Sequence, residues 1–238
     1  FMAKLSWLVL AFSLAGVAVS AQPVETDPAA SRDAFARACD QGDPTSCSKL
    51  GTMLMEGQDG AKDEAGARIL FERACNGGHA QACRNLGGML HRGKGGPKDE
   101  ARARSIYERS CDGGQAGGCF SLAFMLAEGQ GGPIDQVRAR DLYRTACQAD
   151  LKNACYNLGL LLANGEGGAA DKPQARTLFQ SACEKGHVSA CSNLARMLMR
   201  GDGGAQDAAE AMSLNAKACE SDHVAACFQL ATMLIDGR

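Results

Sequence analysis

Cys75-Asn76-Gly77-Gly78-His79-Ala80-Gln81-Ala82-Cys83-Arg84-Asn85-Leu86-Gly87-Gly88-Met89-Leu90-His91-Arg92-Gly93 is the stretch that decides the fold. Its two cysteines stand eight apart, and the same pair returns at 39/47, 111/119, 147/155, 183/191 and 219/227, stepping by 36 residues each time. A fixed period in this range marks a stack of like supersecondary units, a solenoid, rather than one globular core. Cys83, Leu86 and Leu90 lie at i, i+3 and i+7, which is one face of a helix. The two leucines head columns of their own: 50, 86, 122, 158, 194, 230 and 54, 90, 126, 162, 198, 234.

Outward from that helix, called A, the rest of the unit follows. Gly57, Gly93, Gly129, Gly165, Gly201 and Gly237 stand where a helix ends and a positive φ is wanted. A short loop leads to Asp63, Asp99, Asp135, Asp171 and Asp207, natural N-caps for a second helix, B. In the first unit B carries Ala67, Leu70, Phe71 and Ala74 on its apolar side. Small residues beside the first leucine column (Gly51, Gly87, Ala123, Gly159, Ala195, Ala231) let a neighbouring helix come close. The expected array is a half-repeat over 27–41, units near 45–76, 81–112, 117–148, 153–184 and 189–220, and a final helix over 225–236. The half-repeat aligns Asp27, Phe35 and Ala38 with Asp63, Phe71 and Ala74. No polar cap follows the final helix, so the chain is either truncated there or that end is a contact surface.

The cysteine count, 12, is explained by the start of the chain. After Lys4, Leu5 to Val19 is apolar, and Val19-Ser20-Ala21 reads as a small-residue cleavage site. Residues 1–21 are therefore expected to be a signal peptide and 22–26 a short linker. The apolar run falls short of the ~20 residues a spanning helix needs, so no stable membrane insertion is expected after cleavage. An exported chain meets an oxidising compartment, periplasmic or extracellular, where an even cysteine count reads as disulfides. The expected bridges are Cys39–Cys47, Cys75–Cys83, Cys111–Cys119, Cys147–Cys155, Cys183–Cys191 and Cys219–Cys227. Each joins the end of one B helix to the first turn of the next A. Zinc is the rival, but its sites pair C-x₂₋₄-C motifs, and seven residues separate these cysteines. No metal or other cofactor is called for.

The unit resembles the Sel1-like repeat, a relative of the tetratricopeptide repeat. The residues that carry the likeness are Ala82-Cys83-Arg84-Asn85-Leu86-Gly87 in helix A, Gly93-Lys94-Gly95-Gly96-Pro97-Lys98-Asp99 in the loop, and Ala103, Tyr107, Ser110 and Cys111 in helix B. It is most similar to the cysteine-rich subgroup, the Helicobacter cysteine-rich protein type, with one bridge per repeat. Leu54, Leu90 and their equivalents stand where that family often has Tyr. The resemblance implies an all-α, right-handed αα-solenoid of 36-residue TPR-like repeats covering 27–238. It also implies an adaptor or scaffold role. Cysteine-rich members are often described as penicillin-binding or β-lactamase-like, and some exported members look like immunity proteins against toxic effectors.

Net charge is −2, which gives no general case for nucleic acid or an anionic membrane as partner. A protein or peptide is the expected ligand, held on the concave side that helix A normally lines. There, positions one, five and eight after the second cysteine vary from unit to unit while the framework does not. The middle units carry Phe120, Phe124, Tyr156 and Leu160, flanked by Arg84, Arg196 and Phe228. Beside them runs a polar column that includes Asn85, Asn157 and Asn193, suited to hydrogen-bonding a bound backbone. The aromatics have a competing role in filling gaps between helices.

Other columns read more simply. Arg68, Arg104, Arg140 and Arg176 form a ladder on helix B, read as a solvated face near Glu64 and Glu72, with an acidic partner as the alternative. His79, His187 and His223 read as surface turn residues. Ser46-Cys47-Ser48-Lys49 matches S-x-x-K, but no S-D-N or K-T-G accompanies it. No catalytic residue is assigned.

Overall fold

The computed structural model describes residues 28–58 and 60–235; the signal peptide expected over 1–21, the linker expected over 22–26, Asp27 and Gly237 lie outside the described residues. Twelve helices and no strand occur among the described residues. They are α1 (Pro28–Asp40), α2 (Pro44–Glu56), α3 (Glu64–Asn76), α4 (Ala80–Arg92), α5 (Glu100–Asp112), α6 (Ala116–Glu128), α7 (Gln136–Gln148), α8 (Lys152–Asn164), α9 (Lys172–Glu184), α10 (Val188–Arg200), α11 (Ala208–Glu220) and α12 (Val224–Ile235). Even-numbered helices are the A helices and odd-numbered ones the B helices. Each packs on its neighbours in the chain, and α4 also touches α6, so successive A helices line one wall of a solenoid.

The caps fall where polar chemistry satisfies the free helix ends. Asp63, Asp99, Asp135, Asp171 and Asp207 each accept the N–H three residues on. Gly93 closes α4 at φ 68°, and its column repeats that left-handed turn. Each A helix begins one residue before the spacing predicts, and in three units a histidine caps that start. His79, His187 and His223 are N-caps, their Nδ1 atoms accepting from Ala82, Ala190 and Ala226 at 3.1, 3.2 and 3.2 Å. Asp43 does the same work for α2.

All six disulfides form, with Cα–Cα separations of 4.5 to 4.7 Å, inside the range a disulfide accepts. Between them lies a continuous core of the two leucine columns as far as Leu198 and a ring-on-glycine contact, while Leu234 of the last helix is exposed. A Cβ on Gly87 would stand 2.7 Å from the Tyr107 ring, and one on Gly159 would stand 2.8 Å from Phe179. The small-residue column thus lets the B helix lay its ring flat on the A backbone, and the ring column runs Phe71, Tyr107, Tyr143, Phe179.

The fifth member of that column is Asn215. It is fully buried, its Oδ1 has no partner, and its Nδ2 reaches only the Met233 sulfur at 3.5 Å. An open cavity of about 800 Å³ lies against it, bounded by Met199, Phe228 and Met233. Asn215→Phe restores the column, since Tyr143 already sits opposite an alanine, Ala123, as residue 215 sits opposite Ala195. Removing an unsatisfied buried amide and filling the space should add about 1–2 kcal/mol. Thermal unfolding should then move up by roughly 3–6 °C; a lower midpoint would mean the ring does not fit.

Two further columns tie unit to unit. The Arg ladder is not a free solvated face. Arg68, Arg104, Arg140 and Arg176 donate to the carbonyls of Pro97, Pro133, Ala169 and Ala205 in the next loop, at 2.8 to 3.0 Å. Glu72 and Glu108 pair instead with Arg102 and Arg138 of the following B helix. The Gly-Gly steps serve the same junction: at Gly131, with φ 70°, a Cβ would lie 2.3 Å from the Glu100 carbonyl oxygen of the preceding B helix. No other residue fits that approach.

Candidate functional site

On α6, Leu122 and Leu126 take the buried side and leave Phe124 on the other. Phe124 is 39% exposed. Its neighbours on the face behave differently. Phe120 leans on Tyr143 with ring centroids 5.7 Å apart, and Tyr156 leans on Phe179 at 5.9 Å. Tyr156 also stacks on His187 at 4.2 Å. Both rings are half-buried and extend the core outward, as does Leu160. Phe228 is largely exposed on α12.

The polar column is engaged within the solenoid. Asn85 accepts from Gln81 Nε2 at 3.1 Å. Asn157 hydrogen-bonds the buried Tyr143 hydroxyl, whose pKa burial pushes up to about 12. Asn193 donates to the Tyr156 hydroxyl at 3.4 Å and accepts from Arg196 at 2.7 Å. Asn157 and Asn193 thus tie their A helices to Tyr143 and Tyr156 of other helices, a use that spacing alone could not reveal, whereas the partner of Asn85 lies within its own helix.

Cations are in excess on the A helices; of these, Lys49 lies over the Phe35 ring and Lys152 donates to the Lys185 and Gly186 carbonyls. The A helices carry Lys49, Arg84, Arg92, Lys152, Arg196 and Arg200 against only Glu56 and Glu128. The B helices, by contrast, pair their charges with one another. Between α4, α5 and α6 a cleft of about 150 Å³ is lined by Arg84, Asn85, Gly88, Arg92, Tyr107 and Ser121, together with Met55 of α2. Burial raises the Tyr107 pKa, while a hydrogen bond with Ser121 and the charges of Arg92 and Arg84 pull it back.

The S-x-x-K match does not assemble a nucleophile and base. Ser46 is buried in the first turn of α2 and bonded to Asp43, and Lys49 Nζ lies over the Phe35 ring at 5.0 Å. Among the described residues no three His, Cys, Asp or Glu side chains converge as a metal site, and no helix is long and apolar enough to cross a membrane.

Disulfide-bridged helix pairs stacked in register, with a constant framework and a variable A face, define an αα-repeat solenoid. The chain belongs to the Sel1 repeat family: the family model matches residues 44–79, 80–115, 116–151, 152–187 and 188–223. No curated protein matches it. Among solved structures it is similar to c5321, a protective antigen of uropathogenic Escherichia coli with an SLR fold, at 28% identity and a TM-score of 0.84. The match covers 89% of this chain and 45% of the antigen, so the chain spans less than half of that relative. A Sel1 repeat protein of Oxalobacter formigenes matches at 22% identity and a TM-score of 0.76, over 86% of this chain and 83% of that one. The Helicobacter pylori cysteine rich protein B matches 56% of this chain and 96% of its own length, at 22% identity and a TM-score of 0.44.

Proposed function

We propose that this protein is an extracytoplasmic interaction scaffold, periplasmic or secreted, that holds a protein or peptide partner against its A-helix face. The observation that carries this reading is Phe124. A large ring is left partly in water in the middle repeats, where its neighbours Phe120 and Tyr156 lean on core rings, and a few large side chains carry most of the binding energy at interfaces. The Sel1 scaffold supports an interaction role. The six disulfides support an oxidising compartment.

The test is a photo-crosslinking amino acid at position 124, compared with one at Ile69 on a B helix, which is 68% exposed. Crosslinking in the native envelope should give a discrete adduct from 124 and none from 69. Phe124→Asp should remove partner capture while moving the thermal midpoint by less than about 2 °C, because exposed positions contribute little to stability. Adducts from 69 alone would place the interface on the other side of the solenoid.

A further inference from the structure

The cleft between α4, α5 and α6 is built around a glycine that no other unit has. At the middle position of the A face the chain carries Thr52, Gly88, Phe124, Leu160, Arg196 and Thr232. Glycine in a helix interior weakens the helix, so its place there calls for a reason of packing or use. Here it lets Arg92 fold back over its own helix. A Cβ on residue 88 would stand 2.9 Å from Arg92 Nη2 and 3.5 Å from the Tyr107 hydroxyl. From the other side Arg84 lies across the start of α6, its Nε 2.4 Å from where a Cβ on Gly117 would be. Two guanidinium-bearing side chains, a buried phenol hydroxyl and the Ser121 hydroxyl therefore border one small opening.

Among the described residues no carboxylate comes within ion-pair distance of Arg84 or Arg92, whereas Arg73, Arg102, Arg138 and Arg144 on the B helices all have one. The opening, at about 150 Å³, suits one side chain; pockets for whole small molecules run to roughly 300–1,000 Å³. Planar guanidinium forks match the two oxygens of a carboxylate. We infer that the Gly88 cleft receives a carboxylate side chain, Asp or Glu, of an acidic segment in the protein partner. This inference rests on the A-helix face being the binding face and adds the chemistry that the partner must present there. The excess of cations on α4, α8 and α10 favours the same partner and speeds its approach.

The probe is a capped, fluorescein-labelled hexaglutamate peptide, titrated into the full oxidised chain and followed by fluorescence anisotropy. Hexaglutamine and hexaphosphoserine peptides serve as comparisons. Hexaglutamate should bind in preference to both, and its affinity should fall at least tenfold in Arg84→Gln and in Arg92→Gln. Gly88→Leu, which installs the residue found at position 160, should block the cleft equally while leaving the thermal midpoint unchanged or higher. Arg144→Gln removes the same charge from a B helix and should change affinity less than twofold. Absence of hexaglutamate binding, or equal affinity across all variants, overturns the inference. Tighter binding of the phosphoserine peptide through the same two arginines would reassign the cleft to phosphate and also overturns it. If hexaglutamate fails while crosslinking from position 124 persists, the cleft is lost and the face stands; if both fail, the face itself is wrong.

Discussion

Full reduction of the six disulfides is expected to unfold most of this chain at 25 °C. Each bridge closes a loop of about nine residues, and in the chain-entropy model a loop of that size contributes roughly 2.5 kcal/mol. Six such terms sum to at most about 15 kcal/mol. That matches the whole net stability of an ordinary domain, about 5–15 kcal/mol. The units have little else in reserve, because each buries one ring, a few leucines and alanines, and relies on its neighbour for the rest. Far-ultraviolet circular dichroism with and without a phosphine reductant checks this. Removing the central bridge alone, by Cys111→Ser with Cys119→Ser, should lower the midpoint by about 5–10 °C. A reduced chain that keeps its helicity and melts within a few degrees of the oxidised one would show that packing alone carries the fold.

Phe179→Ala should be the most damaging single truncation among the ring positions. The side chain is 1% exposed, lies flat on the Gly159 backbone, and supports Tyr156 at 5.9 Å. Deleting it removes the buried ring, leaves a void that a glycine cannot fill, and takes the floor from under Tyr156. Buried Phe→Ala changes cost about 3–5 kcal/mol. In a chain of this length the midpoint should drop by roughly 10 °C or more. Ile69→Ala, on an exposed site of α3, should stay within about 0.5 kcal/mol of the parent and serves as the control. Urea titration reads both, and near-equal midpoints for the two variants would contradict the ring-on-glycine account of the core.

The two substitutions also separate two kinds of position. Phe179 belongs to the framework, which asks for a ring in each unit because each presents a small residue, Gly or Ala, opposite it. Gly88 and Phe124 belong to the face, where position 88 and its equivalents hold six residues of five kinds. The framework makes an orderly stack, and the face gives each unit its own chemistry. Asn215 is the exception, a framework position that departs from its column and leaves an open cavity beside it.

Much of this was legible in the sequence. A period of 36, cysteines eight apart and leucines four apart settle the helix faces, the bridges and the glycine and aspartate caps, because all of these interactions lie within about ten residues along the chain. Local spacing decides such contacts whatever the solenoid's curvature. Other features depend on how one unit is offset from the next. Arg68 reaching Pro97, Gly131 against the Glu100 carbonyl, and Tyr107 meeting Ser121 join residues 14 to 31 positions apart. So do the choice of Phe120 to lean on Tyr143 and the convergence of Arg84 and Arg92 with Tyr107 over Gly88. Their geometry follows from the rise and rotation between helix pairs, which no single repeat encodes. Local spacing along the chain is enough to specify a disulfide-stapled stack of helix pairs; which variable residues the stack consumes and which it leaves facing outward depends on the offset between units.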